Sequence, residues 1–454
     1  MKKLVFTRFI GVLLCIVMVF NLAACGKTQN GGDPSPSRAE EPSPTKTEDP
    51  APTKGAKEPV AIVSKDLMEG IEASEPLYFG EPSAASLKSA IAFGTTLFEK
   101  CTETGNNTLV SPLSVIVALG MTANGANGVT LEEMEKVFGL KREELNKVLG
   151  ALITALAKDE GNSLKLANAI WFKDETDFVP KADFLQKNAD VFKASIYKAP
   201  FDETTLADIN NWVEQKTAGM IKDILDEIPK LAVMYLVNAL AFEAKWYSGY
   251  REGAVHEGDF TNFDGSKSKA DFMYSREPIY IKTGIASGFE KYYDGTRYSF
   301  IALLPDNGHT TDEVIASLKD VMSDFDTYRS YKEVDAVLPK FSADYSVELS
   351  KALIAMGMRH AFMDDGGADF TDLGTCPESK LGIHISRVIH KTHIEVDTNG
   401  TKAGAATVVE MVKNTAVHEP ERIPEVRLDR PFFYLLYDHE TKMPFFIGVQ
   451  NTMK

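Results

Sequence analysis

Thr398-Asn-Gly-Thr-Lys-Ala-Gly-Ala-Ala-Thr-Val-Val-Glu-Met-Val-Lys-Asn-Thr-Ala-Val-His-Glu-Pro420 is the stretch on which the reading of this chain turns. Small residues fill Ala403 to Ala406, β-formers fill Thr407 to Val412, and no proline occurs before Pro420. A long surface loop ordinarily carries Pro, Asp and Asn as turn chemistry. This one reads as a strand held in reserve. Successive side chains of a strand alternate faces, and the odd positions Thr401, Ala403, Ala405, Thr407, Val409 and Met411 carry no charge. Lys402 and Glu410 both fall on the even face, with Gly404, Ala406, Val408 and Val412. The competing reading is an exposed Ala/Gly linker that alternates by accident, so the surroundings decide.

Before it, His390 to Asp397 reads as a strand: Val388, His390, Thr392, Ile394 and Val396 share one face, and Lys391, His393, Glu395 and Asp397 the other. After it, Phe432 to Tyr437, a turn at Asp438 to Pro444, and Phe445 to Val449 read as a hairpin. The odd segment hangs between two strand systems near the C-terminus.

Earlier, Ser111-Pro-Leu-Ser114 opens a helix as cap followed by proline. Thr130-Leu-Glu-Glu133 reads as a capping box before Met134, Val137 and Phe138. Leu164 to Phe172, Leu236 to Phe242, Tyr298 to Pro305 and Val334 to Phe341 read as strands. Ile209 to Ile224 and Glu348 to Met358 read as helices. A mixed helix-and-sheet domain follows.

Glu395-Val-Asp-Thr-Asn-Gly-Thr-Lys-Ala-Gly-Ala-Ala-Thr407 resembles the hinge of a serpin reactive loop, and Arg430-Pro-Phe-Phe433 the family's signature after that loop. Asn107 to Ser114, Asn168 to Phe172, Ile209 to Val213, Val237-Asn-Ala239 with Trp246, Leu338 to Phe341 and Ile385 to Lys391 resemble further serpin motifs, in family order. The resemblance implies an α+β serpin fold: an early helical region, three β-sheets and an exposed reactive loop spanning about 398–423. It implies hinge residues Gly400, Thr401, Lys402, Ala403, Gly404, Ala405, Ala406 and Thr407. It also implies shutter and breach residues Ser111, Ser114, Asn238, Trp246 and His390, of which Ser111, Ser114, Asn238 and His390 meet beneath the large sheet where it parts. A satisfied polar network with no role in motion is the alternative. Either way, a buried Asn or His left unbonded costs about 1–3 kcal/mol.

Residues 1–24 read as a targeting segment, with Lys2, Lys3 and Arg8 before the apolar run Phe9 to Phe20. Leu22-Ala-Ala-Cys25 resembles a bacterial lipoprotein box. Lipidation of Cys25 would anchor the protein to the outer face of the cell membrane. Residues 25–58 are rich in Pro, Ser and Thr without an aromatic, a tether too polar to fold. Residues 59–82 form a more apolar extension, and 83–454 carry no second linker, so one domain is expected.

The formal net charge of −16 argues against a nucleic-acid partner. Leu145 to Asp159 holds only Lys147 and Lys158, which gives no heparin-type basic helix. With Cys15 and Cys25 assigned to the leader, Cys101 and Cys376 remain as a free buried thiol or one disulfide. The eight histidines form no H-E-x-x-H, and G-x-S-x-G, C-x-x-C and the P-loop pattern are absent. No catalytic residue, cofactor or metal is assigned, and a monomer is expected.

The resemblance implies a metastable inhibitor. A serine protease attacks the loop, and the cut lets the segment from Gly400 onward enter the large sheet while the protease remains bound as an acyl-enzyme. Thr401 to Asn414, fourteen residues, would reach about 46 Å as a strand. Counting from the hinge as the family does sets the scissile bond at Asn414–Thr415, with Lys413 as the alternative residue before it. Thr398 and Lys402 depart from the family, which usually has acidic residues there. A non-inhibitory binding relative, an inhibitor of cysteine proteases and a solute-binding lipoprotein are the alternatives.

Overall fold

The computed structural model describes residues 63–74, 79–158, 164–174, 178–229, 231–375, 382–401 and 422–453. The signal segment, Cys25, the tether, Cys376 and Lys402 to Glu421, including the expected scissile bond, lie outside the described residues.

The largest sheet, sheet A, has eight strands: β1 (Lys65–Asp66), β2 (Leu164–Lys173), β3 (Ser195–Ala199), β4 (Met234–Phe242), β5 (Ala244–Lys245), β6 (Phe341–Glu348), β7 (Arg387–Val396) and β8 (Gly400–Thr401). Their order is β1-β3-β2-β4-β7-β8-β5, with β6 on the remaining edge of β7. Sheet B has seven strands and contains the C-terminal hairpin Phe432–Asp438 and Met443–Gln450. Sheet C has four, including Lys267–Glu277 and Val334–Pro339.

Strand β4 explains the layering. Every residue of Met-Tyr-Leu-Val-Asn-Ala-Leu-Ala-Phe is buried, which requires cover on both faces. Leu236, Leu240 and Phe242 join the main core between sheets A and B. Tyr235, Val237, Ala239 and Ala241 face a second cluster with Ile209, Val213 and Trp171, supplied in part by the helix Glu203–Lys216. The main core holds the helix Pro112–Ala123, all of whose residues are buried. Its Gly120 permits the close packing, because a Cβ there would sit 2.7 Å from Leu149 Cδ1.

Several local expectations are corrected. Thr130 and Glu133 do not form a capping box: the helix Gly128–Phe138 starts earlier, with Asn127 at its N-cap. Thr130 Oγ1 accepts from the Asp369 N–H, and Glu133 accepts from the Arg359 and His360 N–H groups. The expected helix Ile209 to Ile224 runs instead over Glu203–Lys216, capped by Asp202, and Ile221 and Ile224 are buried beyond its end. Val334 to Phe341 is two strands rather than one, Val334–Pro339 in sheet C and the start of β6 in sheet A. The helix expected over Glu348 to Met358 is the shorter Ser350–Met356.

The extension acquires a position. β1 pairs antiparallel with β3 and covers that edge of sheet A. The Val63 and Ser64 N–H groups and the Ser64 hydroxyl all donate to Asp208 Oδ2, at 2.7–2.8 Å. Phe79 packs over Gly150, where a Cβ would meet its ring at 2.6 Å.

Candidate functional site

The end of β7 is where sheet A changes partners. From Arg387↔Tyr235 to His393↔Ala241, β7 pairs in parallel with β4. Beyond that, Val396 pairs with Thr401 of β8, and β8 pairs on its other side with β5, which continues the line of β4. The sheet is forked at one end, and Gly400–Thr401 occupies the fork.

The turn into the fork is built from short polar groups. Asp397 N–H donates to Gly400 O, and Asp397 Oδ1 accepts from the Asn399 and Gly400 N–H groups. Gly400 has φ 154°, and a Cβ on it would stand 2.0 Å from Ala244 O. No other residue fits while β5 and β8 pair.

Thr401 is fully buried, and its hydroxyl lies 2.6 Å from that of Tyr293. Thr401 belongs to the odd, uncharged loop face expected to turn inward, and the rest of that face lies outside the described residues. Trp246 stacks on Tyr293 at 4.5 Å and donates from Nε1 to Asp397 O and from its main chain to Asn399 O. Tyr293 and Asp397 were not picked out from the sequence. Asp397 sits on the solvent parity of β7, and Tyr293 is one of two adjacent tyrosines, so neither carries a local signal.

Farther along the β4–β7 seam, Asn238 and His390 are register partners. Ser111, the N-cap of the buried helix, donates its N–H to His390 Nε2 at 3.0 Å. That nitrogen is therefore bare, and Nδ1–H donates to Asn238 Oδ1 at 2.6 Å. Ser114 Oγ donates to the same Asn238 oxygen at 3.1 Å. Ser111, Ser114, Asn238 and His390 thus meet on the inner face of sheet A as expected. All four are fully buried, and burial pushes the His390 pKa down to about 3. Asn238 Nδ2 has no partner among the described residues. The cluster is a hydrogen-bonded latch across the β4–β7 seam, and it carries no nucleophile–base pair directed at a cleft.

Cys101 is a free thiol, and burial pushes its pKa up to about 12, which favours the protonated form. Among the described residues no group of three metal-ligating side chains converges.

The serpin (serine protease inhibitor) family model matches residues 88–452. The chain belongs to the serpin family. It is 41% identical to the thermophilic serpin tengpin, whose native-state crystal structure it matches with a TM-score of 0.79, covering 86% of this chain and all of that one. Against tengpin in the latent state the values are 42% and 0.71, over 82% and 98% of the two chains. An uncharacterized serpin-like protein of Thermococcus kodakarensis is 29% identical over 366 residues, 79% of this chain and 83% of its own. Members of the family are mostly protease inhibitors, and the serpin fold agrees with the expected α+β architecture.

Proposed function

We propose that this serpin is a suicide-substrate inhibitor of serine proteases. The protease serine oxygen attacks the Asn414 carbonyl carbon, the Thr415 nitrogen leaves with a proton, and the Asn414 acyl group stays on the enzyme as an ester. Lys413 is the alternative acyl residue. The freed segment from Lys402 onward then extends β8 between β7 and β4, carrying the protease along before water reaches the ester. Outside the cell, lipid on Cys25 would hold this activity at the outer membrane face.

The observation that carries the reading is the fork, in which Gly400–Thr401 already pairs with β7 and β5. Continuing the single Val396↔Thr401 register without a bulge would set Lys402 opposite Glu395 and Glu410 opposite Arg387. Both charges of the even face would then meet an opposite charge, and Ala403, Ala405, Thr407 and Val409 would face inward beside Ile394, Thr392, His390 and Val388. Opposed charges on adjacent strands contribute about 0.2–1 kcal/mol each. That accounts for a lysine at 402, where the family prefers an acid.

The test is incubation with a panel of trypsin-like and other serine proteases and with cysteine proteases. An SDS-stable adduct and a released peptide whose mass begins at Thr415 are expected. Cleavage by every protease without an adduct would refute inhibition and favour a binding role. A peptide beginning at Asn414 would move the acyl residue to Lys413.

A further inference from the structure

Two charged residues deep beside the hinge have no part in the latch or the fork. Lys291, on the strand Ala286–Tyr292, and Glu277, ending the strand Lys267–Glu277, form an ion pair at 2.7 Å with side chains 2% and 6% exposed. Replacing such a pair by apolar side chains is often neutral or stabilising, so core stability is a poor explanation for its presence.

Its neighbours supply a better one. Lys291 Nζ donates to Ser248 O at 3.0 Å and lies over the rings of Tyr250 at 4.5 Å and Trp246 at 5.3 Å. All three residues belong to the connector that leaves sheet A after β5 and enters sheet C at Val255. Glu277 also accepts from Ser275 Oγ at 2.6 Å, which fixes the carboxylate. A single buried ammonium therefore joins sheet B, sheet C and the connector. The connector in turn holds the hinge, because Trp246 donates to both Asp397 O and Asn399 O and stacks on the tyrosine that receives Thr401.

We propose that the Lys291–Glu277 pair is a positioning element for the hinge. It keeps the connector seated so that Trp246 and Tyr293 hold Gly400–Thr401 in the fork, and it thereby sets the division between trapping a protease and merely being cut. The last clause rests on the inhibitory reading above; the positioning itself does not.

The neighbouring residue provides a matched control. Glu290 is fully buried on the opposite parity of the same strand and pairs with Arg329 at 2.8 Å and His439 at 2.7 Å, and neither partner bonds Trp246, Ser248 or Tyr250 among the described residues. The experiment compares the wild type with Lys291→Met, Glu277→Gln, the double variant Lys291→Met/Glu277→Leu, and Arg329→Met. Amide hydrogen exchange is followed by mass spectrometry over residues 244–250 and 397–401 of the uncut full chain. Each single variant at the pair should exchange roughly tenfold or more faster at both segments, since an unpaired buried charge is left behind. The double variant should return to within about threefold of the wild type. Arg329→Met should leave both segments near the wild-type rate.

Unchanged exchange at 397–401 in both single variants overturns the proposal, whatever a protease assay reads. Equal acceleration by Arg329→Met also overturns it, because the effect is then global. Glu277→Gln preserves side-chain shape and decides the point if Lys291→Met does not fold. In a wild type that forms adducts, the ratio of adduct to cleaved chain should fall in the two single variants and not in Arg329→Met; an unaltered ratio refutes the partition claim. A wild type that forms no adduct defeats the inhibitory reading and leaves the exchange result to decide positioning.

Discussion

Acidification should weaken this protein through one side chain, His390. The perturbation is a drop from pH 7 to pH 5. In the folded chain His390 is neutral, with Nε2 accepting from Ser111 N–H and Nδ1–H donating to Asn238. A second ring proton would point at the Ser111 N–H in a site without a counter-ion. Burial holds its pKa at about 3, against 6.5 for an ordinary histidine. Because the folded pKa is depressed, the unfolded chain takes the proton first. The stabilising contribution is complete above pH 6.5 and is lost progressively as pH falls from there toward 3. Between pH 7 and pH 5 the loss amounts to about 2 kcal/mol, or roughly a 25-fold change in the opening equilibrium. Chemical denaturation of the wild type and His390→Gln at both pH values measures it, and subtracting one pH dependence from the other removes the remaining titrating groups. Equal pH dependence in the two proteins would refute the assignment.

Gly400→Ala should expel β8 from the fork, because the added methyl meets Ala244 O at 2.0 Å. A cost of about 1–3 kcal/mol should appear as faster exchange at Trp246 N–H and a loss of adduct. Asp208→Ala removes the acceptor of three bonds from Val63 and Ser64. It should cost about 2–3 kcal/mol and admit proteases to residues 63–74, a change that limited proteolysis followed by N-terminal sequencing reads directly. If Lys402 and Glu395 do become neighbours on cleavage, Glu395→Lys should lower the melting temperature of the cut form more than that of the uncut form. Joint exchange with Lys402→Glu should restore it, and calorimetry of both forms checks this.

Much of the site was legible in the residues alone. Alternation along 388–396 told which side of β7 would be buried, and Thr401, paired with Val396, is buried on the same face. The Ser111-Pro112 cap and the C-terminal hairpin were equally local, because caps and turns are decided by a few adjacent residues. The interruption of an apolar strand by Asn238 called for a partner, and the family pattern supplied Ser114 and His390.

What the sequence by itself determined, then, was the face that a strand such as β7 buries and where the helix Pro112–Ala123 begins. Tertiary structure alone decided which strands are neighbours: β4 beside β7, 152 residues away in register, β8 wedged at their parting, and the extension laid along β3. It also diverted Thr130 and Glu133 from capping to long-range contacts and seated Lys291 under the hinge connector. The physical reason is that side-chain periodicity records exposure residue by residue, whereas the partner of a strand edge or a buried charge is chosen by whatever distant segment can satisfy it.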